Sequence, residues 1–121
     1  FSSDFRDLEA GYNKGEANCI RAIETYCLRV AKYIGAYTAA MNGVDAICFT
    51  AGVGENGPMI RSKICEYLGF MGVKLDVEAN AVRGEEKIIS SDDSKVKVIN
   101  LPTNEELAIA RETLRLTRRE K

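Results

Sequence analysis

Ile47-Cys-Phe-Thr-Ala-Gly-Val-Gly-Glu-Asn-Gly-Pro58 is an apolar run that breaks into three glycines and ends on a proline. Together with the residues just before it, the segment 44–50 (V-D-A-I-C-F-T) is β-branched and apolar enough for a strand buried on both faces. Gly52, Gly54 and Gly57 admit backbone angles that other residues resist, and Pro58 suits the first position of a helix, where its missing N–H would have had no partner. The segment therefore predicts a strand, a glycine turn and a helix. Such a turn sets bare backbone N–H groups at the positive end of a helix, where a phosphate can sit.

Working outward, the spacing predicts a long amphipathic helix over 14–41. Asn13 and Glu16 form a capping-box pattern, Ala17, Ile20, Ile23, Cys27, Val30, Ile34 and Met41 recur at helical spacing, and Asn42-Gly43 supplies the stop. Residues 1–12, polar and charged around Phe5, read as a loop or strand exit. After the turn, Met59, Ile60, Ile64 and Leu68 predict a helix over 58–68 stopped by Gly69. A polar helical stretch is expected at 76–83, a short strand at Lys87–Ile89, a turn at S-S-D-D-S and a strand at Lys95–Leu101 closed by Pro102. Thr103 and Glu106 make a second capping box, opening a last helix with Leu107, Ala110 and Leu114 inward. Two strands separated by a helix imply a parallel crossover with helices covering the sheet.

The 121 residues suffice for one domain and no second. With a net charge of −1 and interspersed signs, the chain carries no electrostatic footprint for nucleic acid or an acidic membrane. The basic ending, Arg115 to Lys121, reads as complement to a helix dipole. Four cysteines, no C-x-x-C pair and no histidine argue against zinc and for buried thiols in a reducing compartment. No apolar stretch approaches the ~20 residues of a membrane span. The N-terminus, F-S-S-D-F-R-D, has no initiator methionine or signal pattern and reads as a cut inside a longer chain.

Two readings of the glycine turn compete. Gly52, Gly54 and Gly57 fit G-x-G-x-x-G, with Asp76 about twenty residues further on, which is the fingerprint of an NAD-binding module. That fingerprint wants its acidic residue at the end of a second buried strand, whereas only G-V-K-L precedes Asp76.

The other reading joins D-F-R-D at 4–7, T-A-G-V-G-E-N-G-P at 50–58 and L-P-T-N-E-E-L at 101–107, with Y-C-L-R-V-A-K-Y-I-G-A-Y-T-A-A-M at 26–41 and R-G-E-E-K-I-I-S at 83–90. In these pieces, which span essentially the whole chain, the sequence resembles the C-terminal end of the acetate kinase family. The resemblance implies an α/β fold: an incomplete actin-like ATPase (ribonuclease-H-like) domain, its last α-β-α-β-α portion with helices on a small parallel sheet. It implies Mg²⁺-dependent phosphoryl transfer from ATP to acetate, giving acetyl phosphate and ADP, in a cytoplasmic homodimer paired through this region. It places Asp4, Phe5 and Arg6 at the adenosine, Gly52, Val53, Gly54, Glu55 and Asn56 along the nucleotide and its phosphates, and Glu105 at the magnesium. A hydrated Mg²⁺ needs one or two carboxylates beside phosphate oxygens, and Glu105 is available while Glu106 serves the capping box. As a first-turn acid Glu105 also complements the helix dipole, and Ile60 reads as core. The family's active-site histidine, its arginines and its acetate pocket have no counterpart in the sequence, so the 121 residues alone are expected not to catalyse. A propionate or butyrate kinase and a non-catalytic association module remain alternatives.

Overall fold

Burial is deepest at the segment that decides the fold. Strand β1, Ala46–Phe49, is buried at every position, as expected of a strand covered on both faces. The computed structural model describes residues 5–50 and 57–101, and for Phe5 and Arg6 the backbone alone. In chain order the elements are α1 (Phe5–Asn13), α2 (Ala17–Ala40), β1, α3 (Pro58–Glu66), α4 (Val77–Asn80), β2 (Lys87–Ile88) and β3 (Lys97–Asn100). The helix predicted after Pro102 lies outside the described residues.

The sheet order is β1-β3-β2. β1 and β3 run parallel, pairing Ala46 with Lys97 and Phe49 with Asn100, as a crossover through α3 requires. The short β2 joins β3 antiparallel, so the sheet is mixed rather than purely parallel. Its hairpin turn is the expected serine–aspartate cluster, where Ser91 Oγ donates to Asp93 Oδ1 at 2.6 Å. Along β3 and the residue before it, Val96, Val98 and Asn100 are buried while Lys97 is exposed, the period-two pattern of a strand with one face on the core.

Ile23, Cys27, Ala31 and Ile34 of α2 form its buried stripe; Ile20 and Val30 are half-buried, and Ala17 is exposed at the first position. The stripe meets Ile60, Ile64 and Leu68 of α3 and its following turn, together with Ile47, Phe49, Ile89 and Val98 of the sheet, in one core. Each such aliphatic or aromatic side chain contributes about 1.5–3 kcal/mol by leaving water. At the C-terminus of α2, Gly43 N–H bonds Thr38 O at 2.8 Å and Asn42 N–H bonds Ala39 O at 3.2 Å. Asn42 takes the left-handed angle (φ 58°), so the expected stop is a Schellman motif with asparagine in the usual glycine position.

Three expectations are corrected. Residues 5–13 are a helix, not a loop: Leu8 is buried and Tyr12, one turn on, packs half-buried on the same core. Asn13 and Glu16 therefore do not form a capping box. Asn13 is the last residue of α1, which ends in its own Schellman motif, with Glu16 N–H on Gly11 O at 2.9 Å, Gly15 N–H on Tyr12 O at 3.0 Å and Gly15 at φ 82°. Glu16 is the N-cap of α2 and makes no side-chain cap bond. Finally, α3 stops at Glu66 rather than at Gly69, which opens a 3₁₀ turn, Gly69–Met71, closed by Gly72 at φ 86°.

Candidate functional site

Parallel pairing brings the carboxyl ends of β1 and β3 side by side. Phe49 lies opposite Asn100, and Leu101 N–H continues the ladder to Phe49 O at 2.8 Å. The segments leaving the two strands, the glycine turn after Thr50 and the chain after Leu101, thus depart from one edge of the sheet. Crevices at the carboxyl ends of neighbouring parallel strands are where α/β sheets take their ligands. The glycine turn re-enters the described structure at Gly57, buried, as the N-cap of α3, with Pro58 in the first turn as expected. Gly57 has no side chain to cap this helix end, and among the described residues none makes a side-chain cap bond to it, so its first-turn N–H groups and dipole are available to an anion.

Arg61, in the first turn of α3, is wholly buried beneath this edge. Its Nε donates to Asn80 Oδ1 at 2.8 Å, and its Nη2 to the carbonyls of Asn80 and Val82 at 2.7 and 2.6 Å. A longer bond of 3.4 Å runs from Nη1 to Asn100 Oδ1, at the last residue of β3. Asn80 Nδ2 in turn donates to Pro58 O at 3.0 Å, and Asn100 Nδ2 to Glu85 O at 2.9 Å. Burial, with nearby Arg83 adding to it, lowers the guanidinium to about 10, so it stays charged at neutral pH.

The helices are tied to one another by a second cluster. Lys63 Nζ of α3 donates to Glu24 Oε2 of α2 at 2.7 Å and lies 4.8 Å from the ring centroid of Tyr12 in α1, whose hydroxyl donates to the same carboxylate oxygen at 3.2 Å. The bond from Lys63 holds the Glu24 carboxyl below its usual range, and the same bond raises Lys63. α1 is thereby fixed against the helix that begins at the glycine turn. Gly11 makes the close approach of α1 to α2 possible, because a Cβ there would come 2.2 Å from Cys19 Sγ and 2.9 Å from Cys19 Cβ.

The residues expected at the site fall as follows. Phe5 and Arg6 open α1, where the backbone alone is described. Asp4, the run Gly52 to Asn56 and Glu105 lie outside the described residues. Ile60, read as core, is core. Asp76 is the N-cap of α4, its carboxylate accepting from the N–H groups of Glu78 and Ala79, and the strand beside β1 is β3. Among the described residues no group of three His, Cys, Asp or Glu side chains could hold a metal ion. At the strand ends Thr50 and Asn100 are neutral, so a Mg²⁺ there would need a carboxylate from elsewhere, and Glu105, the expected one, lies outside the described residues. Sequence reading missed Arg61, Asn80 and Asn100. Asn100 stood at an inward position of the Val96–Val98–Asn100 alternation, and Arg61 within the stripe of Ile60, Ile64 and Cys65, so both carried a signal.

No disulfide joins the four cysteines; Cys27, Cys48 and Cys65 are buried and Cys19 half-buried. No helix among the described residues is long and apolar enough to cross a membrane.

A model of the acetokinase family matches residues 1–111. The chain is 62% identical over 116 residues to an acetate kinase of Agathobacter rectalis, covering 95% of this chain and 29% of that protein. It is 61% identical over 115 residues to an acetate kinase of Thermotoga maritima, covering 93% and 28%. Among solved structures it matches the acetate kinase of Porphyromonas gingivalis with a TM-score of 0.79 and 45% identity, covering 95% of this chain and 29% of the other. A propionate kinase from Francisella tularensis matches at 0.75 with 37% identity, covering 93% and 28%. The chain thus spans less than a third of the length of the relatives it matches. Its fold is the α/β arrangement of a partial actin-like ATPase domain, with a small mixed sheet.

Proposed function

The chain belongs to the acetokinase family, and on that premise we propose that it is the C-terminal nucleotide-binding portion of an acetate kinase, which transfers a phosphoryl group from ATP to acetate with Mg²⁺. The observation that carries this reading is the shared sheet edge. The glycine-rich stretch and the segment after Leu101 follow adjacent parallel strands, and that stretch leads into the start of α3, where Gly57 has no side chain to act as a cap. Phosphoryl transfer asks mainly for positioning and neutralisation of charge, and backbone N–H groups at a helix start supply both for a phosphate.

In this reading Asp4, Phe5 and Arg6 hold the adenosine, Gly52, Val53, Gly54, Glu55 and Asn56 follow the nucleotide and its phosphates, and Glu105 binds the magnesium. The likeness to a propionate kinase keeps propionate beside acetate as acceptor, a choice made by the acyl pocket. The protein works as a homodimer in the cytoplasm, and neither nucleic acid nor membrane is a partner. The 121 residues contain no histidine and do not catalyse alone. An NAD-binding module fits less well, since Asp76 is committed to capping α4.

The test uses the full-length natural chain, with acyl phosphate trapped as hydroxamate and nucleotide binding followed by calorimetry. Acetyl phosphate formation from Mg·ATP and acetate, lost in Glu105→Ala and in Gly54→Val, is the expected result. NAD binding, or an intact protein that forms no acyl phosphate from acetate or propionate, overturns the reading. Acetyl phosphate formation by the 121 residues alone overturns the claim of inactivity.

A further inference from the structure

We infer that Arg61 is a positioning residue that ties the start of α3 to the end of β3, the two places at which the proposed phosphate- and metal-binding stretches join the described structure. The inference rests on the proposed nucleotide site and adds to it Arg61, Asn80 and Asn100.

The path is continuous in the described structure. Pro58 O, one residue past the glycine turn, is held by Asn80 Nδ2, and Asn80 Oδ1 accepts from Arg61 Nε. Arg61 Nη1 reaches Asn100 Oδ1, and Asn100 pairs with Phe49 at the end of the parallel ladder. One planar guanidinium thus spans from the start of α3 to the end of β3, with α4 clamped by way of the Asn80 and Val82 carbonyls. A lysine in its place would bring a single point of charge and could not make these divergent bonds together. Burying a guanidinium is costly, and bonds to amide and carbonyl oxygens offset part of that cost here. A leucine at the same place would pack with Ile60, Ile64 and Cys65 without that cost. What the arginine adds over such packing is direction: its bonds orient the start of α3 against the end of β3. Asn100 suits the junction because its amide accepts from Arg61 and donates to Glu85 O at once.

The experiment compares two ligands on the full-length natural chain. Adenosine senses the base and ribose end, whereas Mg·ADP also needs the phosphate and metal end. Arg61→Lys and Asn100→Leu should each weaken Mg·ADP about tenfold, the effect of losing one charge-assisted bond, and leave adenosine affinity unchanged. The Mg²⁺ concentration for half-maximal activity should rise in the same variants. Asn100→Asp keeps an acceptor for Arg61 but loses the donor to Glu85 O, so it should weaken Mg·ADP less than Asn100→Leu does. A merely structural role would lower both ligands together or neither, and either result overturns the inference. If Arg61→Lys does not fold, Asn100→Leu carries the test; if both are recovered only as aggregate, the role is structural and the inference fails. A parent protein that binds no Mg·ADP refutes the proposed function itself, which separates that failure from this one.

Discussion

Gly11→Ala tests whether the approach of α1 to α2 sets the position of the first helix. The new Cβ would lie 2.2 Å from Cys19 Sγ and 2.9 Å from Cys19 Cβ. The thiol can swing away by changing rotamer, but Cys19 Cβ is fixed to the backbone of α2, so the helices must separate by some tenths of an ångström. Overpacking of this kind costs about 1–3 kcal/mol. Against it, alanine is better than glycine inside a helix by up to about 1 kcal/mol. The net expectation is a loss of roughly 1–2 kcal/mol, felt as local opening of α1. Amide hydrogen exchange on the full-length natural chain measures it: amides of α1 should exchange about five- to thirtyfold faster, while those of β1 and β3 change little. In a Cys19→Ala background the thiol is gone and the 2.9 Å contact remains, so the same substitution should cost less but still be felt. An unchanged or slower exchange in Gly11→Ala would refute the packing argument, leaving only the propensity gain.

The ion pair of Glu24 and Lys63 gives a pH dependence of defined sign. The carboxyl is lowered in the fold from its ordinary 4.5, so its contribution is present above that pH and is lost as pH falls through the lower folded value. The pair is partly exposed, and about 0.5–1 kcal/mol is the scale. Melting temperatures of parent and Glu24→Gln should differ by a constant amount from pH 7 to pH 5 and converge below about 4.5; a gap that widens in acid would contradict the assignment. Thiol labelling separates the cysteines: Cys19, half-buried, should react first in the native state, whereas Cys27 and Cys65, pushed by burial up to about 11 and about 12, should react only on unfolding. Mass mapping of the first label reads the order, and initial labelling of Cys65 would show that the α3 packing is wrong.

What sequence reading caught and what it missed divide along physical lines. The apolar run of β1, the alternation of β3, the Pro58 start of α3 and the Asn42 stop of α2 were legible because each is a local signal with a local cause. α1 was not, because it is brief and its buried side rests on Leu8, Tyr12 and the bare face of Gly11, a contact made only once α2 is in place. The same oversight turned Asn13 and Glu16 into a capping box, when the N-K-G that follows a helix was the stronger signal. Gly69 was a plausible stop by composition, but the helix ends three residues earlier at Glu66, and Gly69 instead opens the 3₁₀ turn that Gly72 closes. Of the site, strand β1 and the start of α3 could be seen, and the glycine turn expected between them lies outside the described residues. Arg61 and Asn100 stood at inward positions yet were passed over, because charge and amide are ordinarily taken as surface, and the network they form with Asn80 joins elements about twenty to forty residues apart in the chain.

The parallel pairing of β1 with β3 also has a cost in time. About fifty residues separate the paired positions, and the strand that completes the middle of the sheet is the last of the described elements to be made. At a synthesis rate of roughly 5–20 residues per second, β1 waits on the order of 3–10 s for β3 to be built. Helix pairs such as α1 with α2 form within microseconds to milliseconds. The helical pair therefore has time to assemble first on the nascent chain, and the parallel pairing of β1 with β3 follows only once β3 has been made.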